Sequence, residues 1–229
     1  MKNRKFENRT KAGEFLKDKI KAEINDLNNT IILAIPRGGV PVAYAVSEGL
    51  GIPFHLIITK KLTVPQAPEV AMGAIAPDGS YEINNRIYNY FNPTEKEFEE
   101  VKKKSLKKVK KRITKYTNLE EPVIQSKKII IIDDGIATGY TALVAGKYAK
   151  NKGATKVILA VPVCPENNIS KVLKVFDKFI CVYSSSSARF AVGAYYQDFH
   201  QNTDEELFQY MQKAKNNDLL YTNLEKAEI

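Results

Sequence analysis

Residues 129–141, IIIIDDGIATGYT, set two adjacent carboxylates, Asp133 and Asp134, between an apolar run and a segment rich in glycine and threonine. Four consecutive isoleucines predict a strand buried on both faces, and the residues after Gly139 read as the start of a helix. Open α/β sheets bind ligands where the carboxyl ends of strands face helix N-termini. Free N–H groups and the positive end of the helix dipole suit a phosphate there. Gly135 and Gly139 let the backbone approach such an anion, Thr138 and Thr141 add hydroxyl donors, and Ala137 and Tyr140 add main-chain amides. The carboxylates just before this cradle can accept hydrogen bonds from a sugar diol, or hold a divalent metal through oxygen. The pattern is neither GxxxxGK[ST] nor a GxGxxG fingerprint, so a nucleotide P-loop and a dinucleotide fold are excluded.

Two further segments carry polar groups at strand ends. IPRGGV, residues 35–40, follows the first predicted strand and opens a helix, with Gly38 and Gly39 making a tight turn behind Arg37. Lys60 and Lys61 close the second predicted strand and precede TVPQAPE, residues 63–69, which has two prolines and no core pattern and is expected to be a mobile loop. His55 and His200 are isolated and read as structural or surface residues.

These segments resemble the type I phosphoribosyltransferases, and the resemblance runs from about Phe6 to Leu207. Supporting runs are PRGGVPVA, KKL followed by PEVAMGAI, DDGIATGYT, and AVGAYYQDF near the C-terminus. The subgroup is one of predicted phosphoribosyltransferases without an assigned substrate. The resemblance implies an α/β, Rossmann-like parallel-sheet core over about residues 25–185. A small hood would come from about residues 1–24 and 186–215, with a β-hairpin and flexible loop beside the core, all within one phosphoribosyltransferase domain.

It also implies displacement of pyrophosphate from phosphoribosyl pyrophosphate by an acceptor, a nucleobase nitrogen. Gly135 to Thr141 would hold the 5′-phosphate, and Asp133 and Asp134 the ribose hydroxyls. Arg37, Gly38 and Gly39, in a turn that often holds a strained peptide bond, would take the pyrophosphate with Lys60 or Lys61. Mg²⁺ would arrive with the ligand, with Asp133 or Asp134 as a further oxygen donor. Phe190, Tyr195, Tyr196 and Phe199 are candidates to stack on the acceptor. In the hypoxanthine- and guanine-using branch an aspartate stands where this chain has Ala137, so a purine handled in that manner is disfavoured; Glu69 is the alternative proton acceptor.

The elements that must position these residues alternate. Apolar runs predict strands at 31–35, 54–59, 129–133, 157–163 and 179–183, with Pro162 ending or edging the fourth. Helices are expected at 40–49, 95–116, 141–151 and 169–175, and a terminal one over 203–215 behind a Thr203/Glu206 capping box. Asp78-Gly79 signals a hairpin within residues 72–83, outside the parallel sheet.

The 229-residue chain carries 35 Lys and Arg against 26 Asp and Glu. The excess lies in KKKSLKKVKKRITK, residues 102–115. Near-helical spacing of Phe98, Val101, Leu106, Val109, Ile113 and Tyr116 makes this run the wet face of a helix. Its nucleic-acid alternative is a regulator that senses phosphoribosyl pyrophosphate without turnover. No apolar run approaches the ~20 residues of a membrane span, and the N-terminus lacks a secretory pattern. Two cysteines give no disulfide framework. The expectation is a cytoplasmic protein acting on small molecules, with a homodimer as the default assembly.

Overall fold

The computed structural model describes residues 5–118 and 120–222. Its elements, in order, are α1 (Arg9–Glu23), β1 (Thr30–Ala34), α2 (Gly39–Leu50), β2 (Phe54–Leu56), β3 (Lys60–Val64), β4 (Ala67–Ile75) and β5 (Tyr81–Ile83). They continue with α3 (Asn85–Phe91), α4 (Glu95–Thr117), β6 (Lys128–Ile132), α5 (Tyr140–Asn151), β7 (Lys156–Pro165), α6 (Ile169–Val172), β8 (Lys178–Ser185) and α7 (Asp204–Asn216).

Five parallel strands form the main sheet in the order β2-β1-β6-β7-β8. Its centre is in register across Leu33, Ile131, Leu159 and Phe179. Alternate side chains of β6 enter opposite cores. Ile130 and Ile132 join the layer with α2 and α7, while Ile129 and Ile131 join the layer with α5. A strand buried on both faces needs this continuous apolar run. The chain leaves β1 toward β2 on one side and builds β6, β7 and β8 on the other. The loops after β1 and β6 therefore diverge at a switch point and leave a crevice between them.

Beside this sheet stands a three-stranded antiparallel sheet, β3-β4-β5. The hairpin expected at Asp78-Gly79 joins β4 to β5, with Gly79 at φ +86° and the Asp78 carboxylate accepting from the Ser80 amide. The mobile loop expected over residues 63–69 is instead the end of β3, a turn at Pro65-Gln66, and the start of β4, with Val64 paired to Ala67. Pro65 sits in the turn, where its fixed φ suits the geometry, and Leu62 and Val64 are fully buried. The second predicted strand is also shorter than expected, because residues 57–59 leave the parallel ladder to enter this sheet. Pro162 does not end β7. Pairing with β6 stops at Ala160, so the proline's missing N–H costs no ladder bond on that side.

α4 buries Phe98, Val109 and Tyr116 and leaves most of its lysines in water. α6 covers only Ile169–Val172, because a 3₁₀ turn at Glu166–Asn168 precedes it. The N-terminal segment pairs with the C-terminal one: the Phe6 amide donates to the Tyr195 carbonyl and the Gln197 amide to the Phe6 carbonyl. Among the described residues no helix is long and apolar enough to cross a membrane.

Leu62 tests whether the β3–β4 hairpin is part of the core. Leu62→Ala should lower stability by ~2–5 kcal/mol, as truncation at a packed site does, read from the urea midpoint. A change under about 0.5 kcal/mol, the value for an exposed position, would return this segment to a loop.

Candidate functional site

At the switch point lies a cleft of about 380 Å³. Its floor is the end of β6, where Asp133 and Asp134 leave the sheet. The Asp134 amide donates to Asp133 Oδ1 at 2.9 Å. Burial raises the Asp133 carboxyl well above the usual carboxylate range, and the charge on Asp134 adds to the rise. Burial also raises Asp134, but the guanidinium of Arg9 opposes it, with Nε donating to Oδ2 at 2.7 Å. Arg9 is held in turn by the His200 carbonyl at 2.9 Å and by the Phe199 ring, whose centroid is 3.9 Å from the guanidinium carbon. Such a bidirectional clamp is what a buried ion pair requires to offset desolvation.

The turn after β1 lies directly against this floor. A Cβ on Gly38 would occupy the space of the Asp134 carboxylate, and one on Gly39 would stand 2.7 Å from the Ile132 carbonyl oxygen. The two glycines are thus required by close approach between loops, and the Pro36–Arg37 peptide is cis. The Arg37 side chain does not line the cleft. Its Nη1 donates to Asp204 Oδ1 at 3.1 Å, on the N-terminal turn of α7. Asp204 also accepts from Lys115 at 2.5 Å and the Tyr116 hydroxyl at 2.6 Å, and these donors hold its carboxyl down at about 2. Arg37 therefore ties α2 to α4 and α7, and its expected side-chain contact with a ligand is not what the geometry shows.

One wall is the loop from Gly135 to Thr141. Gly139 caps α5 at φ +78°, with nothing within 4 Å of where a Cβ would stand, and Gly135 packs too tightly on Val163 and Val192 to carry one. The amides of residues 137–142 donate to no protein group among the described residues, so six successive donors are free at the mouth of a helix. Thr138, Gly139 and Thr141 line the cleft, whereas the Tyr140 ring lies outside it under the Lys171 ammonium.

Another part of the lining is cationic. Lys60 and Lys61 both belong to it, and Arg112 joins them from the basic run of α4. Burial lowers the Lys60 ammonium, and the neighbouring charges of Arg112, Lys108 and Lys61 push in the same direction. No carboxylate pairs with any of these three cleft cations among the described residues. The Thr59 hydroxyl, also at this wall, is buried without a partner.

The outer end is apolar, lined by Val192 and Phe199. The other aromatic candidates lie elsewhere. Tyr196 is buried and donates its hydroxyl to the Asp134 carbonyl at 2.5 Å, bracing the floor instead of presenting a face. Tyr195 donates to Ser185 Oγ and packs between Tyr183 and Phe190, away from the cleft lining. Glu69 is exposed on β4 and outside the lining. His55 is buried, with burial lowering its pKa, and His200 bridges Asp198 and Glu206 at the surface.

Sequence reading missed Arg9, Arg112 and Thr59. Arg9 carries no local signal, being 125 residues from its carboxylate. Arg112 was hidden among lysines, although its position one residue before the apolar Ile113 places it at the edge of the packed stripe. Among the described residues no three acidic, histidine or cysteine side chains converge as a metal site. Asp133 and Asp134 supply hard oxygens suited to Mg²⁺, but one Asp134 oxygen is engaged by Arg9. The donor set fits an ion whose remaining ligands come from a bound phosphate.

Free amides and a carboxylate pair at the switch point of a parallel sheet place the chain in the doubly wound α/β class, with its cleft where that class binds ligands. Comparison with known proteins narrows this. Residues 7–198 match the phosphoribosyl transferase domain family. Two Mycobacterium tuberculosis proteins, from strains CDC 1551 and H37Rv, carry a provisional phosphoribosyl transferase name. Each is 33% identical over 210 residues, aligning 91% of this chain with 47% of the relative. The chain thus spans about half the length of the curated relatives it matches. The crystal structure of TT1426 from Thermus thermophilus superposes with a TM-score of 0.73 at 26% identity, covering 91% of this chain and 98% of that one. The chain belongs to the phosphoribosyl transferase domain family.

The Arg9–Asp134 pair has a pH signature. Arg9→Met keeps packing on Phe199 but strands a buried carboxylate, a change that costs ~3–5 kcal/mol when the charge cannot be lost. The Asp134 pKa, already raised by burial, then lies further above its unfolded value, so stability falls as pH rises through it. The deficit against wild type should be small at about pH 5 and largest near pH 8, and Asp134→Asn in the same background should remove most of the pH dependence. Urea melts at the two pH values read it; a pH-independent deficit would show that the pair is not what holds the floor.

Proposed function

We propose that the cleft binds phosphoribosyl pyrophosphate and transfers its 5-phosphoribosyl group to a flat acceptor, a nucleobase nitrogen, with release of pyrophosphate. The observation that carries this reading is the composition of the cleft: free amides, cations without a carboxylate partner and two carboxylates line one space. A sugar diol that carries two phosphate groups matches that set.

In this reading the amides and hydroxyls of Thr138 to Thr141 hold the 5′-phosphate, and that remote binding energy positions the anomeric carbon. Asp133 and Asp134 accept from the ribose hydroxyls. The acceptor nitrogen forms a bond to the anomeric carbon as the carbon–oxygen bond to pyrophosphate breaks. The electron pair leaves with the pyrophosphate, and the acceptor's proton passes to water. Positive charge develops on the sugar and negative charge on the leaving group. Lys60, Lys61 and Arg112 face that negative charge in a partly desolvated site, where preorganised cations stabilise it most. The Gly39 amide, expected as a further donor, already donates to the Ile35 carbonyl at 3.0 Å, which leaves the Gly38 amide as the donor of that turn. Bound with the ligand, Mg²⁺ would neutralise phosphate charge and orient the leaving group. Phe199, beside Val192, supplies the apolar face against which a planar acceptor can rest.

Calorimetric titration of phosphoribosyl pyrophosphate, with and without Mg²⁺, tests the reading, followed by a screen of nucleobases for pyrophosphate release. Tight binding that strengthens with Mg²⁺, and release with at least one base, is the expected result. Binding without release from any base would favour a sensor, for which the solvent-exposed lysines of α4 supply a nucleic-acid surface. No binding by folded protein would overturn the assignment.

Two variants divide the site. Asp134→Asn should lower affinity for phosphoribosyl pyrophosphate at least tenfold, about 1.4 kcal/mol, with the fold intact by circular dichroism. Arg112→Ala should weaken phosphoribosyl pyrophosphate by roughly 10–100-fold, the range for a charge-assisted bond, while leaving ribose 5-phosphate within about twofold. Equal losses for both ligands would place Arg112 outside the pyrophosphate end.

A further inference from the structure

We infer that Asn168 and Lys171 are positioning residues for the phosphate loop: by holding two loop carbonyls away from the cleft, they turn the paired amides into it. The inference rests on the reading that this loop takes a phosphate.

Asn168 Nδ2 donates to the Ala137 carbonyl, and Lys171 Nζ donates to the Thr138 carbonyl at 2.7 Å. In a trans peptide plane the C=O and the following N–H point in opposite directions. Fixing the Ala137 carbonyl therefore fixes the Thr138 amide, and fixing the Thr138 carbonyl fixes the Gly139 amide. Both residues line the cleft, and neither amide has a protein acceptor among the described residues. Without the two donors nothing described in the protein holds either plane: Gly139 is the most permissive residue in the loop, and a flipped plane would aim a carbonyl oxygen at the anion.

The latch is built outside the phosphate motif. The 3₁₀ turn at Glu166–Asn168 leads straight into α6, so Asn168 and Lys171 lie three residues apart on one face. Lys171 is half-buried and forms no ion pair with a carboxylate among the described residues. Its ammonium sits 3.2 Å from the centroid of the Tyr140 ring, the first residue of α5. Immobilising a lysine in this way costs side-chain entropy, and burial lowers its pKa to about 8. The Thr138 carbonyl and the Tyr140 face are what it gains, and both belong to the loop. The cation–π contact clamps the helix end while the hydrogen bond orients the peptide before it.

Two probes separate the ends of the cleft: ribose 5-phosphate for the loop, and inorganic pyrophosphate for the cationic wall. Lys171→Met and Asn168→Ala should each weaken ribose 5-phosphate about tenfold, the scale of one lost hydrogen bond, and leave pyrophosphate within about twofold. Lys171→Arg, which keeps a donor over the ring, should restore most of the loss. Unchanged ribose 5-phosphate affinity in both variants would overturn the latch, as would parallel losses for the two probes, which would mark a general structural defect. If Lys171→Met does not fold, Asn168→Ala carries the same comparison. Wild-type protein that bound neither probe would sink the phosphate-site reading, and amide hydrogen exchange would then decide the latch separately. Faster exchange at Thr138 and Gly139 in Lys171→Met than in wild type supports it; equal rates overturn it.

Discussion

A carboxylate taken out of water at the end of a central strand must be compensated, and much of this molecule is arranged around that requirement. Asp134 is carried inward because β6 is buried on both faces and ends at the switch point. Arg9 reaches it from 125 residues earlier in the chain, and Phe199 and the His200 carbonyl hold Arg9 in place. The same carboxylate excludes a side chain at residue 38, so the turn after β1 must be glycine for the two loops to meet. One ion pair thus links the N-terminal helix, both loops of the crevice and the C-terminal aromatic turn.

Around this floor the polar groups are segregated by the kind of backbone that carries them. The phosphate wall is main chain, presented by a helix N-terminus and set by peptide planes. The cationic part of the lining is long side chains, two from the antiparallel sheet and one from α4. Main-chain donors hold their positions at little conformational cost, which in the proposed function would suit a phosphate that serves as a handle. Flexible cations would, in the same proposal, suit a group whose charge changes during reaction and which must then leave.

Asp204 shows how a charged residue near a site can be structural. It gathers Arg37, Lys115 and Tyr116, and so fastens α7 and α4 to the turn before α2. The basic character of α4 is divided accordingly. Lys115 braces the fold, Lys102 lies over the Tyr81 and Phe98 rings, Arg112 faces the cleft, and most of the remaining lysines meet solvent.

The sequence by itself determined the strand–loop–helix at residues 129–141, the glycine turn at 38–39, the lysine pair and the hairpin at Asp78-Gly79. In each the chemistry is local, since apolar periodicity, glycine and cap residues act within a few positions. Only the tertiary structure decided that residues 63–69 are strand and turn, because their partners lie along β4 and their buried faces meet another layer. It alone decided that Arg37 turns to Asp204, that Tyr196 braces the floor and that Glu69 stays outside. Those outcomes depend on which long side chain finds a counter-charge or a carbonyl across 60 to 170 residues of chain, a competition that residue type and spacing do not encode.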